Sequence, residues 1–531
     1  MHSLQAKINK TFTESALAQY GRNIRSSPRQ LFLNRHLTFT ALFYATGAIP
    51  QTWDQGSSST IANLTSFQHH FGISSGTNAS AIKNFISFFY IGAAVGAFLC
   101  FFINDRIGRL WSLRLYMLVW IVGQMTAVGA PRGTSGLYAA RIISGMGMGA
   151  LCSTANMSLA EIAPAEIRGL LVSWYAVAMG VALVCSNFCV LGVYLHVAPI
   201  RLQYQIVWFA PCICLFVWII ASFWACESPR WLFLTDRPDQ AVNALVQLRS
   251  LPADHPRVQF EIEEIKESVR KQTQFQPANS RTPGLWFIVK DAFTVPANLR
   301  RFQQVFVFYI LQAITGANSI TSYLVPILAI IGDTGGTARH IFISGMYGVA
   351  KLCFALISSF FLIDALGRRK SLFIGATTQM ITDIYIGVFI KVQQSQSVSH
   401  GASEGAIAMI FIHAFGYAVG MYLFGGEIWP NHLRSFGSSV TQVFHWLLHY
   451  AMSYATPSLL EATDNWGAFI FFAAWCAVTI LYVFLFVPET AGISVEELDE
   501  LFQGSWFNAY RRKSRPKTSV VLDGEDGDDV R

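Results

Sequence analysis

The sequence predicts an all-α membrane protein: twelve transmembrane helices in two pseudo-symmetric six-helix bundles, joined by an intracellular helical connection. Composition is the first reason. Hydrophobic residues make up 53% of the chain and charged ones only 13%, against about 25% charged in soluble domains, and the mean hydropathy is +0.40. The second is that apolar runs of about 20 residues, enough to cross roughly 30 Å of hydrocarbon, recur twelve times. The third is a basic phrase written twice, Asp105-Arg106-Ile107-Gly108-Arg109 and Asp364-Ala365-Leu366-Gly367-Arg368-Arg369, 259 residues apart in a chain of 531. A tight turn recurring after corresponding spans is what a duplicated unit leaves behind, and duplication is how many secondary transporters are built.

Taken in order, residues 1–37 form a polar, basic N-terminal tail. The tail lacks the short apolar core and cleavage site of a removable signal peptide, so the first span is expected to direct insertion. The N-terminal bundle, 38–226, holds spans near 38–56, 82–103, 111–130, 136–160, 168–195 and 204–226. From 227 to 300 hydropathy collapses and charge rises. Apolar spacing there predicts surface helices over Asp239–Ser250 and Val258–Val269, a polar linker over Gln272–Pro283 and a membrane-surface segment over Leu285–Phe293. The C-terminal bundle, 301–487, holds spans near 301–325, 339–363, 371–391, 405–428, 436–460 and 466–487. In the tail, 488–531, Ser494 as N-cap and Glu497 as its capping-box partner predict a last amphipathic helix to Phe502, before an acidic, disordered end.

Lys and Arg orient the spans, because cytoplasmic segments retain positive charge. With both termini inside, only Lys83, Arg132, Arg201, Arg339 and Lys391 fall in outer loops and Arg141 and Lys351 within spans; the rest of the 38 are cytoplasmic. The net charge of +7 is then a consequence of orientation and calls for no nucleic-acid partner. The basic run Arg511–Lys517 is read as an ordinary positive-inside tail, able also to touch anionic lipid. Nine Cys lie mostly within spans without metal-type spacing and read as small packing residues. Asn63 and Asn78 carry glycosylation patterns in or beside the first outer loop, although the same short motif recurs at Asn156 within a span.

Several ordered motifs make the chain resemble the sugar porter family of the major facilitator superfamily from about 40 to 500, in the manner of fungal sugar, polyol and quinate transporters. They are Arg141 with Gly145, Gly147 and Gly149; Glu161-Ile162-Ala163-Pro164 with Arg168-Gly169; Glu227-Ser228-Pro229-Arg230-Trp231-Leu232; Gln312, Gly316, Asn318 and Tyr323; Glu427-Ile428-Trp429-Pro430 with Arg434 and Gly437; and Pro488-Glu489-Thr490. The resemblance implies that Asp105, Arg106, Arg109, Glu161, Arg168, Glu227, Arg230, Asp364, Arg368, Arg369, Glu427, Arg434 and Glu489 form latches that close the inner side in one conformation. By charge alone they are either such latches, needing a difference of only a few kcal/mol between states, or plain positive-inside charge with solvated carboxylates.

Ionisable groups within spans default to functional candidates. Asp54 stands where the resemblance places a protonatable Asp, and Arg141 where it places an Arg beside it. The pair is either a proton switch, since burial and a nearby Arg act oppositely on a carboxyl, or a static ion pair orienting two helices. Lys351 and Asp383 are candidate partners of each other with a structural role. The resemblance also implies solute binding at Gln312, Asn318 and Tyr323 around a central cavity. Four positions depart from the family: Ala176 and Ala313 stand where Gln is usual, Tyr422 where Trp is, and His445 where Asn is. Each buried hydroxyl left without a partner costs about 1 to 3 kcal/mol, so the site is expected to favour something bulkier or less hydroxylated than a hexose. His445, with His449 one turn on, either meets a carboxylate or proton, or packs against a neighbouring helix.

The expected function is therefore a monomeric carrier in the plasma membrane, moving a sugar or sugar-like solute by alternating access with a proton as coupling ion and no other cofactor. The alternatives are a polyol, quinate-like or specialised-metabolite carrier, coupled or facilitative, and a nutrient sensor on the same scaffold. Enzymatic function is not expected, because no phosphate-binding loop, metal cluster or nucleophile triad lies outside the spans.

Overall fold

The computed structural model describes residues 34–73, 80–273, 285–332, 335–362, 366–396, 399–420 and 433–489, together with Arg22, Trp429 and Phe502. The described residues are helical and contain no strand. In the first half, α1 (Arg35–Thr46) and α2 (Ile49–Ile61) are followed by the short α3 (Thr65–Phe71), then α4 (Ser80–Ile107), α5 (Arg109–Val128), α6 (Ser135–Ile162), α7 (Arg168–His196) and α8 (Leu202–Ala221). The connection holds α9 (Pro229–Leu234), α10 (Pro238–Arg249), α11 (Pro256–Thr273) and α12 (Leu285–Thr294). The second half comprises α13 (Pro296–Ile314), α14 (Ala317–Ser322), α15 (Leu324–Ile330), α16 (Gly336–Ile357), α17 (Arg368–Ser395), α18 (His400–Gly420), α19 (Arg434–Ala462) and α20 (Trp466–Phe486).

Among the described residues, two of the expected spans are broken helices. The first is broken between α1 and α2 at Gly47 and Ala48, with Pro50 in the first turn of α2, a place where its missing N–H costs nothing. The seventh is broken twice. Gly316 takes φ +86° between α13 and α14, where a side chain would meet the ring of Phe472, and a second break falls at Tyr323. These broken helices occupy corresponding places in the two halves. Among the described residues, seven segments are long and apolar enough to cross a membrane by length and composition alone: Ser80–Ile107, Ala165–His196, Leu202–Trp224, Gly336–Leu362, Arg368–Ser395, Gly401–Gly420 and Trp466–Phe486. The broken spans, and α5, α6 and α19, complete the twelve positions.

The packing repeats from half to half. In the first, α2 lies on α7, α4 and α5 on α6, and α5 on α8; in the second, α13 lies on α19, α16 and α17 on α18, and α17 on α20. The halves meet through α4 against α19 and α7 against α16, two contacts exchanged by the same pseudo-twofold relation. Toward the ends opposite the connection, one apolar core draws on both halves, joining Ile61, Phe67 and Val190 to Ile320, Leu324 and Phe469. Toward the connection there are two cores, one built mainly on the first half around Leu113, Leu159 and Leu215 but joined by Trp446 of α19, the other mainly on the second around Phe302, Leu372 and Val483.

Of the connection, α9 to α11 dock on the first half, whereas α12 packs on α13 of the second. Arg249 donates to the Ile162 carbonyl at 2.9 Å and pairs with Glu261 at 2.7 Å. Asn34 donates to the Gln247 carbonyl at 2.6 Å, and Arg257 pairs with Glu166. The helices expected over Asp239–Ser250 and Val258–Val269 are α10 and the middle of α11. The helix expected over Ser494–Phe502 lies outside the described residues except for Phe502.

Candidate functional site

The deepest charged pair joins the two elements that carry Asp54 and Arg141. Asp54, on α2, is 3% exposed and Arg141, on α6, 2%. Arg141 grips the carboxylate with both terminal nitrogens, Nη1 on Oδ1 and Nη2 on Oδ2, the latter at 2.9 Å. Its Nε donates to the Phe85 carbonyl at 2.8 Å, and the guanidinium lies 4.6 and 4.5 Å from the ring centres of Phe85 and Phe89. Ser58 donates to Asp54 Oδ1 at 2.9 Å. A planar, five-donor guanidinium suits this bidentate, ring-sandwiched position, which a lysine ammonium could not fill.

Across the interface from this pair lie the residues expected to bind solute. Gln312, at the end of α13, donates from Nε2 to the Tyr417 hydroxyl at 3.3 Å. Asn318 is buried on α14, and Tyr323 donates its hydroxyl to the Ser453 carbonyl on α19 at 2.7 Å. Gln312 and Asn318 are 5% and 7% exposed. Ala313 is buried beside Gln312. Ala176 lies apart, on α7, lining a cavity of about 10 Å³ with Ser173, Val177, Leu352, Ala355 and Leu356. That volume is at the limit for a single water, so this cavity is not the solute-sized void expected beside Gln312 and Asn318. Tyr422 lies outside the described residues.

His445 packs edge-on to Tyr309 and Trp446, at 5.0 and 4.7 Å between ring centres. His449, one turn on, lies 4.0 Å from the ring of Tyr90 and 3.3 Å from the Ser453 hydroxyl. Tyr90 in turn stacks on Trp446 at 6.0 Å. An aromatic seam between α4 and α19 thus runs beside the Asp54–Arg141 pair. Sequence reasoning did not single out Tyr90, Tyr309, Trp446 or Tyr417, since nothing in an apolar span marks which aromatic faces the interface.

Lys351 and Asp383 are not partners, which corrects the expectation. Asp383, on α17, faces His413 on α18 at 3.5 Å. Lys351, on α16, donates to the Thr321 hydroxyl at 3.2 Å and lies 5.7 and 5.4 Å from the ring centres of Tyr347 and Tyr417. The two charged residues point to different neighbours because α18 packs against both α16 and α17, and only Asp383 meets its histidine.

At the ends on the side of the connection the repeated phrase is built twice in the same way. Gly108 takes φ +95° and Gly367 φ +86°, and a side chain at either would press on a carboxylate, Glu227 or Glu489 respectively. Those carboxylates cap the next helix. Glu227 accepts from the backbone N–H of Arg109 at 3.0 Å and of Leu110 at 3.1 Å; Glu489 accepts from those of Arg368 at 2.9 Å and Arg369 at 3.2 Å. A carboxylate at a helix N-terminus satisfies orphan N–H groups and meets the positive end of the dipole. Burial pushes the Glu227 carboxyl above its ordinary value, against the pull of the N–H groups of Ser228, Leu110 and Arg109.

The remaining candidates divide. Arg109 is bidentate on Glu161, both contacts at 3.1 Å, and reaches Asp105 at 2.7 Å. Ser228 donates to Glu161 at 2.6 Å, and the charge of Arg230 also acts on that carboxylate. Arg369 donates to the Phe484 carbonyl at 2.8 Å. Arg106 and Arg168 are exposed. The contacts just described each lie within one half. Asp364 and Glu427 lie outside the described residues, as does the side chain of Arg434. Asn63 sits between α2 and α3 with its amide donating to the Ser59 carbonyl at 2.7 Å, and Asn78 lies outside the described residues.

Comparison with known proteins agrees over most of the chain. The family model for "Sugar (and other) transporter" matches residues 40–502. A probable quinate permease of Aspergillus niger is 31% identical over 465 residues, covering 85% of both chains. The quinate permease of Emericella nidulans is 28% identical over 489 residues, covering 90% of both. Among solved structures, the major facilitator proton:xylose symporter XylE bound to 6-bromo-6-deoxy-D-glucose superposes with a TM-score of 0.72 at 21% identity, covering 88% of this chain and 99% of that one. The inward open xylose transporter XylE of E. coli gives 0.68 at 19% identity, covering 87% and 98%.

Proposed function

This chain belongs to the sugar (and other) transporter family, and on that premise we propose that its alternating-access transport is driven by a proton taken up at Asp54. The carrying observation is the buried Asp54–Arg141 pair, with every Asp54 oxygen occupied by a donor. If the rearrangement that exposes the site to the other side draws α2 away from α6, Asp54 remains in a low dielectric without its guanidinium and takes up a proton. Return of Arg141 expels it. Solute binding at Gln312 and Asn318 across the interface favours the closed arrangement and so links the two events.

The solute in this reading is a sugar-like, polyhydroxylated molecule. A quinate-like acid is the second reading, supported by the quinate permeases among the relatives and by the alanines at 176 and 313 in place of amides. The distribution of Lys and Arg supports cytoplasmic termini; the plasma membrane is the site of action in this reading, and the single chain, which supplies both halves, is the working unit.

Reconstitution in proteoliposomes tests this. Asp54→Asn should abolish uphill accumulation while counterflow of labelled solute survives in part, and the wild type should alkalinise the outer medium when solute is added. Accumulation unchanged in the variant would refute coupling at Asp54. Failure of the wild type to exchange any sugar, polyol or hydroxy acid would favour a sensor on the same scaffold.

A further inference from the structure

Lys351 is the feature that neither the fold nor the proton cycle uses. It sits in the middle of α16 and is half-buried. Among the described residues no carboxylate lies within ion-pair distance of it, since Asp383 faces His413 and Asp54 is held by Arg141. One ammonium hydrogen goes to the Thr321 hydroxyl at 3.2 Å, and the faces of Tyr347 and Tyr417 lie 5.7 and 5.4 Å away. Tyr417 is also the acceptor of Gln312 at 3.3 Å, so the ammonium and the expected solute-binding amide share one wall. A cation kept at the middle of a membrane is costly without a counter-charge; two aromatic faces and one hydroxyl supply part of what water would, and two ammonium hydrogens remain for an acceptor.

We propose that Lys351 anchors the carboxylate of the transported solute, which makes the solute class a polyhydroxylated carboxylate rather than a neutral sugar. The inference rests on the carrier reading above. The carboxylate meets the ammonium beside Thr321 and Tyr417, and the hydroxyls turn toward Gln312 and Asn318. Entry of such an anion gives Lys351 the counter-charge that Asp54 and Arg141 already give each other on the other half. A singly charged anion travelling with one proton moves no net charge, whereas a neutral sugar with one proton moves one.

The test uses the full chain in proteoliposomes, with labelled quinate as the carboxylate probe and labelled xylose and myo-inositol as neutral ones. The wild type should exchange quinate. In Lys351→Gln the half-saturation for quinate should rise about tenfold or more, as loss of a desolvated charge partner implies, and Lys351→Arg should recover part of it. On the wild type, quinate methyl ester should compete with quinate at least about tenfold more weakly than free quinate does, a readout independent of any variant. Exchange of xylose or inositol without quinate, equal competition by the ester, or an unshifted half-saturation in Lys351→Gln would each overturn the proposal while leaving the carrier reading intact. No exchange of any probe would overturn the carrier reading, and the anchor with it.

Discussion

At the residue scale, a buried charge is governed by what remains when its partner is removed. Breaking a buried pair from one side leaves an uncompensated charge, at a cost of about 3 to 5 kcal/mol, whereas removing both charges can be neutral. Arg141→Leu should therefore melt well below the wild type in detergent, while the double variant Asp54→Asn with Arg141→Leu should recover most of the loss; equal melting of the two would show that Asp54 does not depend on its guanidinium. Glu227 makes the opposite case. Its carboxyl is raised by burial, so the folded state binds the proton more tightly than the unfolded chain does. Stability from that proton is complete below the ordinary glutamate value of about 4.3 and is lost as pH rises through the higher folded value. Wild type should thus gain on Glu227→Gln in thermal stability as pH falls from neutrality toward that value, and a gap constant with pH would reject the assignment. Much at this scale was legible. Asp54 and Arg141 stood out as charges within apolar runs and do meet. Lys351 stood out equally, but its neighbour did not, because contact across helices depends on how each is rotated about its axis, and hydropathy does not report rotation in a span apolar on most sides.

At the element scale, the repeated phrase was readable as a turn because glycine flanked by charge is a local signal, whereas the acid that completes each turn lies far along the chain, at Glu227 and Glu489. Positive φ alone disfavours a side chain at Gly108 and Gly367, and the added Cβ would lie 2.6 Å from the Glu227 carboxylate or 2.8 Å from that of Glu489. Each Gly→Ala should cost about 1 kcal/mol or more from backbone strain, with the disturbed cap in addition. Because the two turns are built alike, the losses in thermal stability should be similar. A tolerated substitution at one turn and a severe one at the other would mean that the halves do not share this device. The broken spans were less legible. Ile49-Pro50 and Gly316 marked places where a helix can stop, yet the apolar run continues through both, and hydropathy alone reads each as one span.

At the scale of the whole molecule, the matched packing of the halves and their meeting through α4 with α19 and α7 with α16 provide two seams about which they can rock. The shared apolar core lies at the ends where the positive-inside rule puts the outer surface, and the two cores built mainly on one half each lie toward the connection. Closure toward the outside is therefore apolar burial, supplemented at its rim by Lys83 on α4, which donates to the Ser458 hydroxyl on α19 at 3.1 Å and lies 5.2 Å from the ring of Tyr454. Opening outward must part these groups, since no solute passes between helices in van der Waals contact. Cysteines at 83 and 458, joined by a short cleavable cross-linker in a background whose exposed Cys185, Cys214 and Cys353 have been replaced, should hold the outer side shut. Uptake should fall to background after cross-linking and return on cleavage, while binding of solute from the cytoplasmic side persists. Uptake that continues through the cross-link would show that the α4–α19 seam does not part during transport, and that rocking about these two seams is not how the site changes sides.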